Sequence, residues 1–320
     1  MRQFDAAAVE RLLDDRKLID AIAALFAEGC EVPLRHHHTI DTGGAPATLL
    51  LMPAWRNRRH LGIKIVTVFP DNGAPENDER NLPAVIGQYL LLSAQTGAPL
   101  ALIDGTALTR RRTAAASALA SRFLSRPDSF RLLMVGTGAL APHLVRAHAA
   151  VRPIRELAVW GRSPAKALAL AERFNGGDLA GLKISAHVAR DIETTIDAAD
   201  IISCATLAQA PLVEGAWLKK GQHLDLVGGF TPAMREADDE AVRRARVFVD
   251  TRQGAGKEAG DIVQPLASGA LPPEGIVADL FELCRGEKRG RQGAGEITLF
   301  KSVGTALEDL AAAELVAAQG

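Results

Sequence analysis

The stretch LLMVGTGALA, residues 132–141, constrains the fold of this chain more than any other segment. An apolar run leads into Gly136 and Gly138, and Ala141 completes the order G-x-G-x-x-A where a helical segment begins. The first glycine permits a tight turn, and the second lets the backbone approach a pyrophosphate at the helix N-terminus. Because the motif joins an apolar run to a helical one, it predicts the first βαβ unit of a dinucleotide-binding domain.

Short apolar runs alternate with helical segments from Phe130 to about Ala245. The runs are FRLLMVG, ELAVWG, GLKISAH, ADIISCA, QHLDLVGG and ARVFVD. Their apolar residues follow one another instead of alternating with polar ones, which is typical of parallel strands covered on both faces. The pattern predicts an α/β fold with a Rossmann-type, doubly wound parallel sheet.

The flanking segments predict a second, discontinuous α+β domain. The chain opens with one long helical pattern, AAAVERLLDDRKLIDAIAALFAEG, followed by the strands ATLLLMPAW, HLGIKIVTVF and APLALIDGT. We expect a helix to begin near Thr109 and helices to fill the part after Gly254. We predict a substrate-binding and dimerisation domain at 1–118, completed by a C-terminal helix at about 303–320, and an NAD(P)-binding domain at 119–302.

The polar segment DNGAPENDERNLP, residues 71–83, is rich in turn-forming residues and predicts a surface loop. Its length leaves two interpretations open, a functional lid and a plain excursion.

The composition excludes several classes of function. A formal net charge of −1 over 320 residues gives no electrostatic reason to bind nucleic acid or an anionic membrane. The longest apolar stretches, such as AVIGQYLLL, are shorter than the roughly 18 residues of a membrane span, and the amphipathic N-terminus is not a signal peptide. Because Cys30, Cys204 and Cys284 form no CxxC pair, we expect a cytoplasmic protein without disulfides or a zinc site.

The end of the second predicted strand bears on the choice of cofactor. NAD-preferring sites usually place an acid about 20 residues after the glycines, where it binds the ribose 2′-hydroxyl. This chain has Arg162, Ser163 and Lys166 there instead, and these side chains suit a 2′-phosphate, which predicts NADPH with NADH as an alternative. Thr206 follows the fourth strand and is expected near the nicotinamide. The predicted cofactor contacts are Gly136, Thr137, Gly138, Ala139, Arg162, Ser163, Lys166 and Thr206.

The first domain offers three cations for an anionic substrate. Arg35, Lys64 and Arg112 lie in the segments PLRHHHTI, GIKIVTVFP and TRRRTAAASALA. Lys64 is the most informative, because a lysine inside an apolar strand needs either an exit to solvent or an anionic partner. The neighbouring histidine triplet at 36–38 is a poor metal candidate, since successive side chains of an extended segment point to opposite faces. We expect no metal ion.

Together these segments resemble the ornithine cyclodeaminase/mu-crystallin family. The matching elements are LRHHH, MPAW, GIKIVTVFP, LIDGTALTRRRTAAASALA, VGTGALA, VWGRSPAKA, DIISCATLA, LVGGFTPAMREAD, EAGD and LFKSVGTALEDLAAA. The resemblance covers nearly the whole chain and implies a homodimer with a Rossmann domain and a substrate domain. It also implies that Arg35, Lys64 and Arg112 bind the substrate carboxylate, a task for which guanidinium forks and a lysine point charge are suited.

The segment LVGGFTP departs from one branch of that family. In ornithine cyclodeaminases the position after the second glycine is an aspartate that handles the substrate amino groups, whereas this chain has Phe230. A phenyl ring neither transfers a proton nor pairs with an ammonium, so the segment resembles the branch that reduces Δ1-pyrroline-2-carboxylate and Δ1-piperideine-2-carboxylate. An apolar wall suits a small ring and excludes water. The alternative is that Phe230 is ordinary core at a strand end.

The resemblance implies a ketimine reductase. NADPH would deliver hydride to C2 of the cyclic imine, giving L-proline or L-pipecolate, while Arg35 and Arg112 hold the carboxylate. Lys64 either binds that carboxylate or passes a proton to the imine nitrogen, with His36 and His37 as reserve donors. Three alternatives stay open: an alanine dehydrogenase-type reductive aminase, an ornithine cyclodeaminase, and a non-catalytic mu-crystallin-like protein that binds NADPH and thyroid hormone.

Overall fold

The computed structural model of the chain describes residues 1–72 and 82–320. Residues 73–81 of the loop predicted at 71–83 lie outside the described residues, so both interpretations, a lid and a plain excursion, stay open. The strands are β1 (Arg2–Phe4), β2 (His36–Ile40), β3 (Ala47–Trp55), β4 (His60–Val68), β5 (Val85–Ser93), β6 (Pro99–Asp104), β7 (Arg131–Val135), β8 (Glu156–Trp160), β9 (Ser185–Val188), β10 (Ile201–Cys204), β11 (His223–Leu226), β12 (Arg246–Val249), β13 (Ile276–Asp279) and β14 (Thr298–Lys301). The α-helices are α1 (Ala6–Leu12), α2 (Asp15–Glu28), α3 (Gly105–Leu124), α4 (Ala141–Val151), α5 (Pro164–Asn175), α6 (Ile192–Ala198), α7 (Asp239–Arg244), α8 (Arg252–Glu258), α9 (Gly260–Ser268), α10 (Leu280–Cys284) and α11 (Ala306–Gln319).

The chain divides into two compact units. Unit 1 consists of Met1–Arg112 and Thr305–Gly320, and unit 2 of Thr113–Gly304. The domain boundaries predicted from the sequence are residues 118 and 302. The roles assigned to the two domains, substrate binding with dimerisation and cofactor binding, stay predictions.

Unit 1 is a mixed sheet with helices on one face. The strand order is β1-β6-β5-β4-β3-β2, antiparallel except for the parallel pair β1 and β6. Helix α11 packs against β3, β4 and β5, and α2 packs against α11. The three strands predicted from the sequence became β3, β4 and β6. Strand β5 comes from VIGQYLLLS, a stretch that sequence reasoning noted only as too short for a membrane span.

The prediction of one long N-terminal helix is wrong, because the chain forms two helices there. α1 ends at Leu12 and α2 begins at Asp15, and the intervening Asp14 is extended. The Asp14 side chain accepts a hydrogen bond from the backbone N–H of Lys17 at 3.0 Å, so it satisfies a donor that the helix leaves unpaired. The paired aspartates of LLDDRK therefore mark a helix start inside an otherwise continuous helical pattern.

Unit 2, whose residues 113–304 are all described, contains one fully parallel eight-stranded sheet in the order β13-β12-β14-β11-β10-β7-β8-β9. The six runs predicted as strands became β7 to β12, which confirms the α/β class with a Rossmann-like parallel sheet. The part after Gly254 holds the expected helices and also the strands β13 and β14, which were not predicted. β14 is central, between β11 and β12. β14 is only four residues long and includes Thr298 and Lys301, so its sequence lacks the apolar pattern of a buried strand.

The sheet order brings three strand ends together. β7 pairs with β10, and β10 pairs with β11, all in parallel register. Their apolar side chains, among them Leu133, Ile202 and Leu224, are fully buried, and each such side chain contributes about 1.5–3 kcal/mol. Because the carboxyl ends of parallel strands meet at one edge, Gly136, Thr206 and Gly228 become neighbours. No helix in the described part of the chain is long and apolar enough to span a membrane.

Candidate active site

The glycine motif of unit 2 has the geometry of a phosphate cradle. Gly136 has φ +118, and a Cβ there would lie 2.5 Å from the carbonyl oxygen of Ala205. A Cβ on Gly138 would meet no atom within 4 Å, so this glycine borders open space. No side chain caps α4, which begins at Ala141, but the N–H groups of Ala141 and His143 donate to the carbonyls of Gly138 and Leu140, and Pro142 has no N–H. An anion would therefore bind at the glycine turn that leads into the helix.

A pocket of about 740 Å³ opens at this edge of the sheet and falls within the range of small-molecule sites. It is lined by Gly136, Thr137, Gly138, Trp160, Gly161, Arg162, Ser163, Lys166, Ala205, Thr206, Leu207, Ala208, Gln209, Ala210 and Leu212. Every cofactor contact predicted from the sequence is in this set except Ala139. The pocket and the cradle together fit a dinucleotide that binds along the ends of β7, β8 and β10.

The end of β8 forms the cationic part of the pocket. Arg162 and Lys166 are exposed there, and the lining contains no aspartate or glutamate. Ser163 has a structural role as well, because its side chain accepts a hydrogen bond from the Lys166 N–H at 3.4 Å and caps α5. A Cβ on Gly161 would lie 2.8 Å from Thr137, so the turn after β8 packs tightly against the glycine motif.

A buried carboxylate joins the ends of β10 and β11. Glu236 accepts hydrogen bonds through Oε1 from the backbone N–H of Thr206 at 2.7 Å and from its hydroxyl at 2.8 Å. Through Oε2 it accepts from the N–H of Gly228 at 2.8 Å. Behind it, Asp261 accepts from the N–H of Glu236 at 2.8 Å and pairs with Lys301 Nζ at 3.0 Å.

Sequence reasoning missed these three charged residues. Glu236, Asp261 and Lys301 are fully buried, although PAMREAD, EAGD and LFKS look like solvated segments. Burial raises the pKa of Glu236, while the Lys301 ammonium opposes that shift. The signal that was available is Lys301, which lies within the apolar run ITLF and needs an anion just as Lys64 does.

Phe230 lies two residues after Gly228, beyond the end of β11, and is 48% exposed. The alternative that it is ordinary core is therefore wrong. The preceding Gly229 has no room for a side chain, because a Cβ there would lie 2.8 Å from Asp261 Oδ2. The segment thus presents an apolar ring at the end of β11, where the resemblance placed a residue that faces substrate.

Unit 1 brings Lys64 and Arg112, two of the three predicted cations, together around a second buried carboxylate. Lys64 Nζ lies 2.8 Å from Asp309 Oδ2, and Arg112 Nε donates to Asp309 Oδ1 at 2.9 Å. Arg112 Nη1 donates to Glu308 at 2.6 Å. Among the described residues Nη2 of Arg112 has no hydrogen-bond partner, so this end of the guanidinium is available to a ligand. Of the two arrangements expected for Lys64, an exit to solvent or an anionic partner, the structure shows the second, with Asp309 as the partner.

This arrangement perturbs the lysine strongly. Burial, followed by the charge of Arg112, lowers the pKa of Lys64 to about 8, and Arg35 acts in the same direction. The Arg112 and Lys64 charges lower the pKa of Asp309 despite its burial, so the carboxylate stays ionised. Burial and the neighbouring cations therefore bring the pKa of Lys64 closer to neutral pH than that of a solvated lysine.

Asp309 and Glu308 were not predicted as site residues. Both lie in the first turn of α11, after its cap Thr305, where acids commonly complement the helix dipole. Their complete burial and their pairing with Lys64 and Arg112 separate them from such surface acids. The need of Lys64 for a partner was the signal that could have found them.

The histidine triplet lies on β2, where its members are exposed and alternate along the strand. The rings of His36 and His38 approach to 6.4 Å between centroids in an edge-to-face arrangement. Over residues 1–72 and 82–320 no group of three or more His, Cys, Asp or Glu side chains is arranged to hold a metal ion.

Known proteins match the chain over nearly its full length. The sequence profile of the ornithine cyclodeaminase/mu-crystallin family matches residues 5–319. Protein SAR DEFICIENT 4 of Arabidopsis thaliana is 43% identical over 288 residues, which cover 89% of this chain and 86% of the relative. The Δ1-pyrroline-2-carboxylate reductase of Colwellia psychrerythraea is 38% identical over 318 residues, covering 99% of this chain and 98% of the relative.

Solved structures show the same similarity. The Thermococcus litoralis Δ1-pyrroline-2-carboxylate reductase in complex with NADH and L-proline is 33% identical, with a TM-score of 0.90 over 100% of this chain and 97% of that one. An archaeal alanine dehydrogenase dimer with bound NAD is 27% identical, with a TM-score of 0.89 over 100% of this chain and 95% of that one.

Proposed function

Since this chain belongs to the ornithine cyclodeaminase/mu-crystallin family, we propose that it is an NADPH-dependent oxidoreductase that reduces the C=N bond of cyclic imino acids. The substrates are Δ1-pyrroline-2-carboxylate and Δ1-piperideine-2-carboxylate, and the products are L-proline and L-pipecolate. The name of the Colwellia relative and the ligands of the Thermococcus structure support imine reduction. The choice of NADPH and the six-membered ring go beyond those names and are part of the proposal.

The observation that carries this proposal is the buried Lys64 of unit 1. An ammonium with a pKa of about 8, held 2.8 Å from Asp309 and beside Arg112, suits a substrate that brings one carboxylate and needs one proton. Arg112 would bind the carboxylate through Nη2, with Arg35 adding positive charge. Lys64 would hold its proton ready for the imine nitrogen, because a protonated imine accepts hydride more readily than a neutral one.

The cofactor residues of unit 2 fit a nicotinamide dinucleotide. When bound, NADPH supplies the hydride for C2 of the imine. Gly136, Gly138 and the turn that leads into α4 would hold the pyrophosphate. Arg162 and Lys166 would bind the 2′-phosphate, since the lining lacks the acid that favours a free 2′-hydroxyl. Phe230 would exclude water from the reacting carbon.

The second face of the unit 1 sheet supports a homodimer. On this face Leu51 pairs across the strands with Ile65, and Ile63 pairs with Leu90, while α11 covers the opposite face. Ile65 is 38% exposed, and an apolar sheet face of this kind is typical of an interface. We expect light scattering to give the mass of a dimer for the wild type and of a monomer for Ile65→Lys. A wild-type monomer would contradict the proposal.

The activity is tested by following the nicotinamide absorbance with NADPH and each cyclic imine in turn. Parallel reactions contain pyruvate with ammonia, or L-ornithine with the oxidised cofactor. We expect rapid oxidation of NADPH with the cyclic imines and little with pyruvate and ammonia. Faster oxidation with pyruvate and ammonia would favour an alanine dehydrogenase, and ammonia release from ornithine would favour a cyclodeaminase.

A further inference from the structure

Glu236 joins two loops that belong to different strands. Its carboxylate accepts three hydrogen bonds, two from Thr206 after β10 and one from Gly228 after β11. Glu236 is itself fully buried, and each bond is between 2.7 and 2.8 Å. Charge-assisted bonds of this length are strong, so the two loops are fixed to one another through this side chain.

The two loops also touch directly. A Cβ on Gly228 would lie 2.0 Å from the carbonyl oxygen of Thr206 and 2.5 Å from Glu236 Oε1. Thr206 lines the cofactor pocket, and Phe230 follows Gly228 by two residues. Any displacement of the Glu236 carboxylate would therefore move the backbone at the end of the pocket where the nicotinamide is expected.

The buried charges around Glu236 do not balance. Asp261 and Lys301 form an ion pair at 3.0 Å, and both are fully buried, so their charges largely cancel. The Glu236 carboxylate accepts three hydrogen bonds from neutral groups, and these favour its ionised form against the effect of burial, so its negative charge is the one left uncompensated. In an interior of low dielectric constant such a charge acts over several ångströms.

We propose that Glu236 is a positioning residue that fixes the Thr206 and Gly228 loops and whose charge favours the oxidised over the reduced cofactor. The inference rests on the proposed use of a nicotinamide cofactor, whose ring is neutral when reduced and positively charged when oxidised. A fixed negative charge near the ring therefore stabilises the charge that develops as hydride leaves. This suits an enzyme that consumes the reduced cofactor.

The test is the ratio of the two dissociation constants, measured by calorimetry with NADPH and NADP+ on the full-length protein. Glu236→Gln keeps the shape of the side chain and removes the charge. We expect it to weaken NADP+ binding about tenfold more than NADPH binding, a change of about 1.4 kcal/mol in relative affinity. An unchanged ratio would overturn the proposal.

Two further variants separate the charge from the fold. Glu236→Asp keeps the charge on a shorter side chain, so both affinities should fall while their ratio stays that of the wild type; a shifted ratio would also overturn the proposal. Asp200→Asn is the matched control, because Asp200 accepts from the N–H groups of Phe130 and Arg131 and from Arg126 at the opposite edge of the sheet. It should lower the melting temperature and leave the ratio unchanged. If the wild type binds neither cofactor, the proposed function fails instead.

Discussion

The titration of Lys64 gives the sharpest test of the proposed chemistry. Its ammonium lies 2.8 Å from Asp309 and is 2% exposed, with Arg112 bound to the same carboxylate. Burial and the Arg112 charge lower its pKa from 10.5 to about 8, whereas Asp309 opposes the shift. If the protonated lysine serves the reaction, activity must fall as the pH rises through this value.

The size of the effect follows from the pKa. With a pKa of about 8 for Lys64, the protonated fraction at pH 9.5 is roughly 3%, so kcat/KM should fall about 30-fold from its plateau. Stability moves in the opposite direction. The folded state gives up this proton more readily than the unfolded chain, so loss of the proton between pH 8 and 10.5 adds up to ~3 kcal/mol to the free energy of unfolding. Because loss of the Lys64 proton stabilises the fold, unfolding caused by this titration does not explain a loss of activity at high pH.

The assay is the pH profile of kcat/KM for Δ1-pyrroline-2-carboxylate, measured for the wild type, Lys64→Arg and Lys64→Met. Lys64→Arg keeps a charge that does not titrate in this range, so it should lose the alkaline fall that belongs to the enzyme. Any fall that belongs to the imine itself would persist in both proteins. Lys64→Met should lower kcat/KM about 10- to 150-fold, which corresponds to the free energy of one hydrogen bond to a charged group. A wild-type profile that stays flat to pH 9.5 would refute the reasoning.

Three further substitutions test the cofactor and substrate residues. Arg162→Ala should raise the KM for NADPH about 10- to 100-fold, because it removes charge-assisted bonds to the 2′-phosphate, and should leave the KM for NADH unchanged; equal effects on both would contradict this role. Gly138→Val should weaken cofactor binding in calorimetry without lowering the melting temperature, since its side chain would enter space that is open in the folded protein. Phe230→Asp should lower imine reduction at least tenfold, because a carboxylate near the substrate carboxylate costs roughly several kcal/mol, and an undiminished rate would remove Phe230 from the substrate site.

The sequence predicted the parts of the molecule whose chemistry is local. The glycine motif can be recognised from its own residues, because each glycine is needed for the local backbone conformation. The runs that became β7 to β12 are apolar enough to be identified without knowing which strands they pair with. Arg162 and Lys166 follow β8, the neighbour of the strand that leads into the glycine motif, so the strand order alone predicts that they lie beside the motif. The structure places both along the same pocket. Lys64 was informative for the same reason, because an ammonium in an apolar strand is costly unless it is paired.

The residues that sequence reasoning missed depend on contacts between distant segments. Asp309 meets Lys64 across 245 positions of sequence, a pairing that only the packing of α11 on β4 creates. Glu236 meets Thr206 across 30 positions. Acids near helix starts or in charged loops are usually solvated, so neither carboxylate stands out before its burial is known. β14 was missed because a central strand of four residues that contains a lysine has too little apolar pattern.

These buried carboxylates also bear on the choice between reduction and deamination. A cyclodeaminase needs an acid for the substrate amino groups, and the position expected for it holds Phe230. Two acids border the glycines that precede Phe230, Glu236 beside Gly228 and Asp261 beside Gly229. Both are fully buried, and both are occupied: Glu236 by Thr206 and Gly228, Asp261 by Lys301 and the backbone. Glu236 could turn to a substrate ammonium only by breaking its bonds to Thr206 and Gly228. Asp261 could do so only by leaving Lys301 buried without its partner, at a cost of about 3–5 kcal/mol. Glu236 and Asp261 are therefore poor candidates for binding a substrate ammonium at the end of β11.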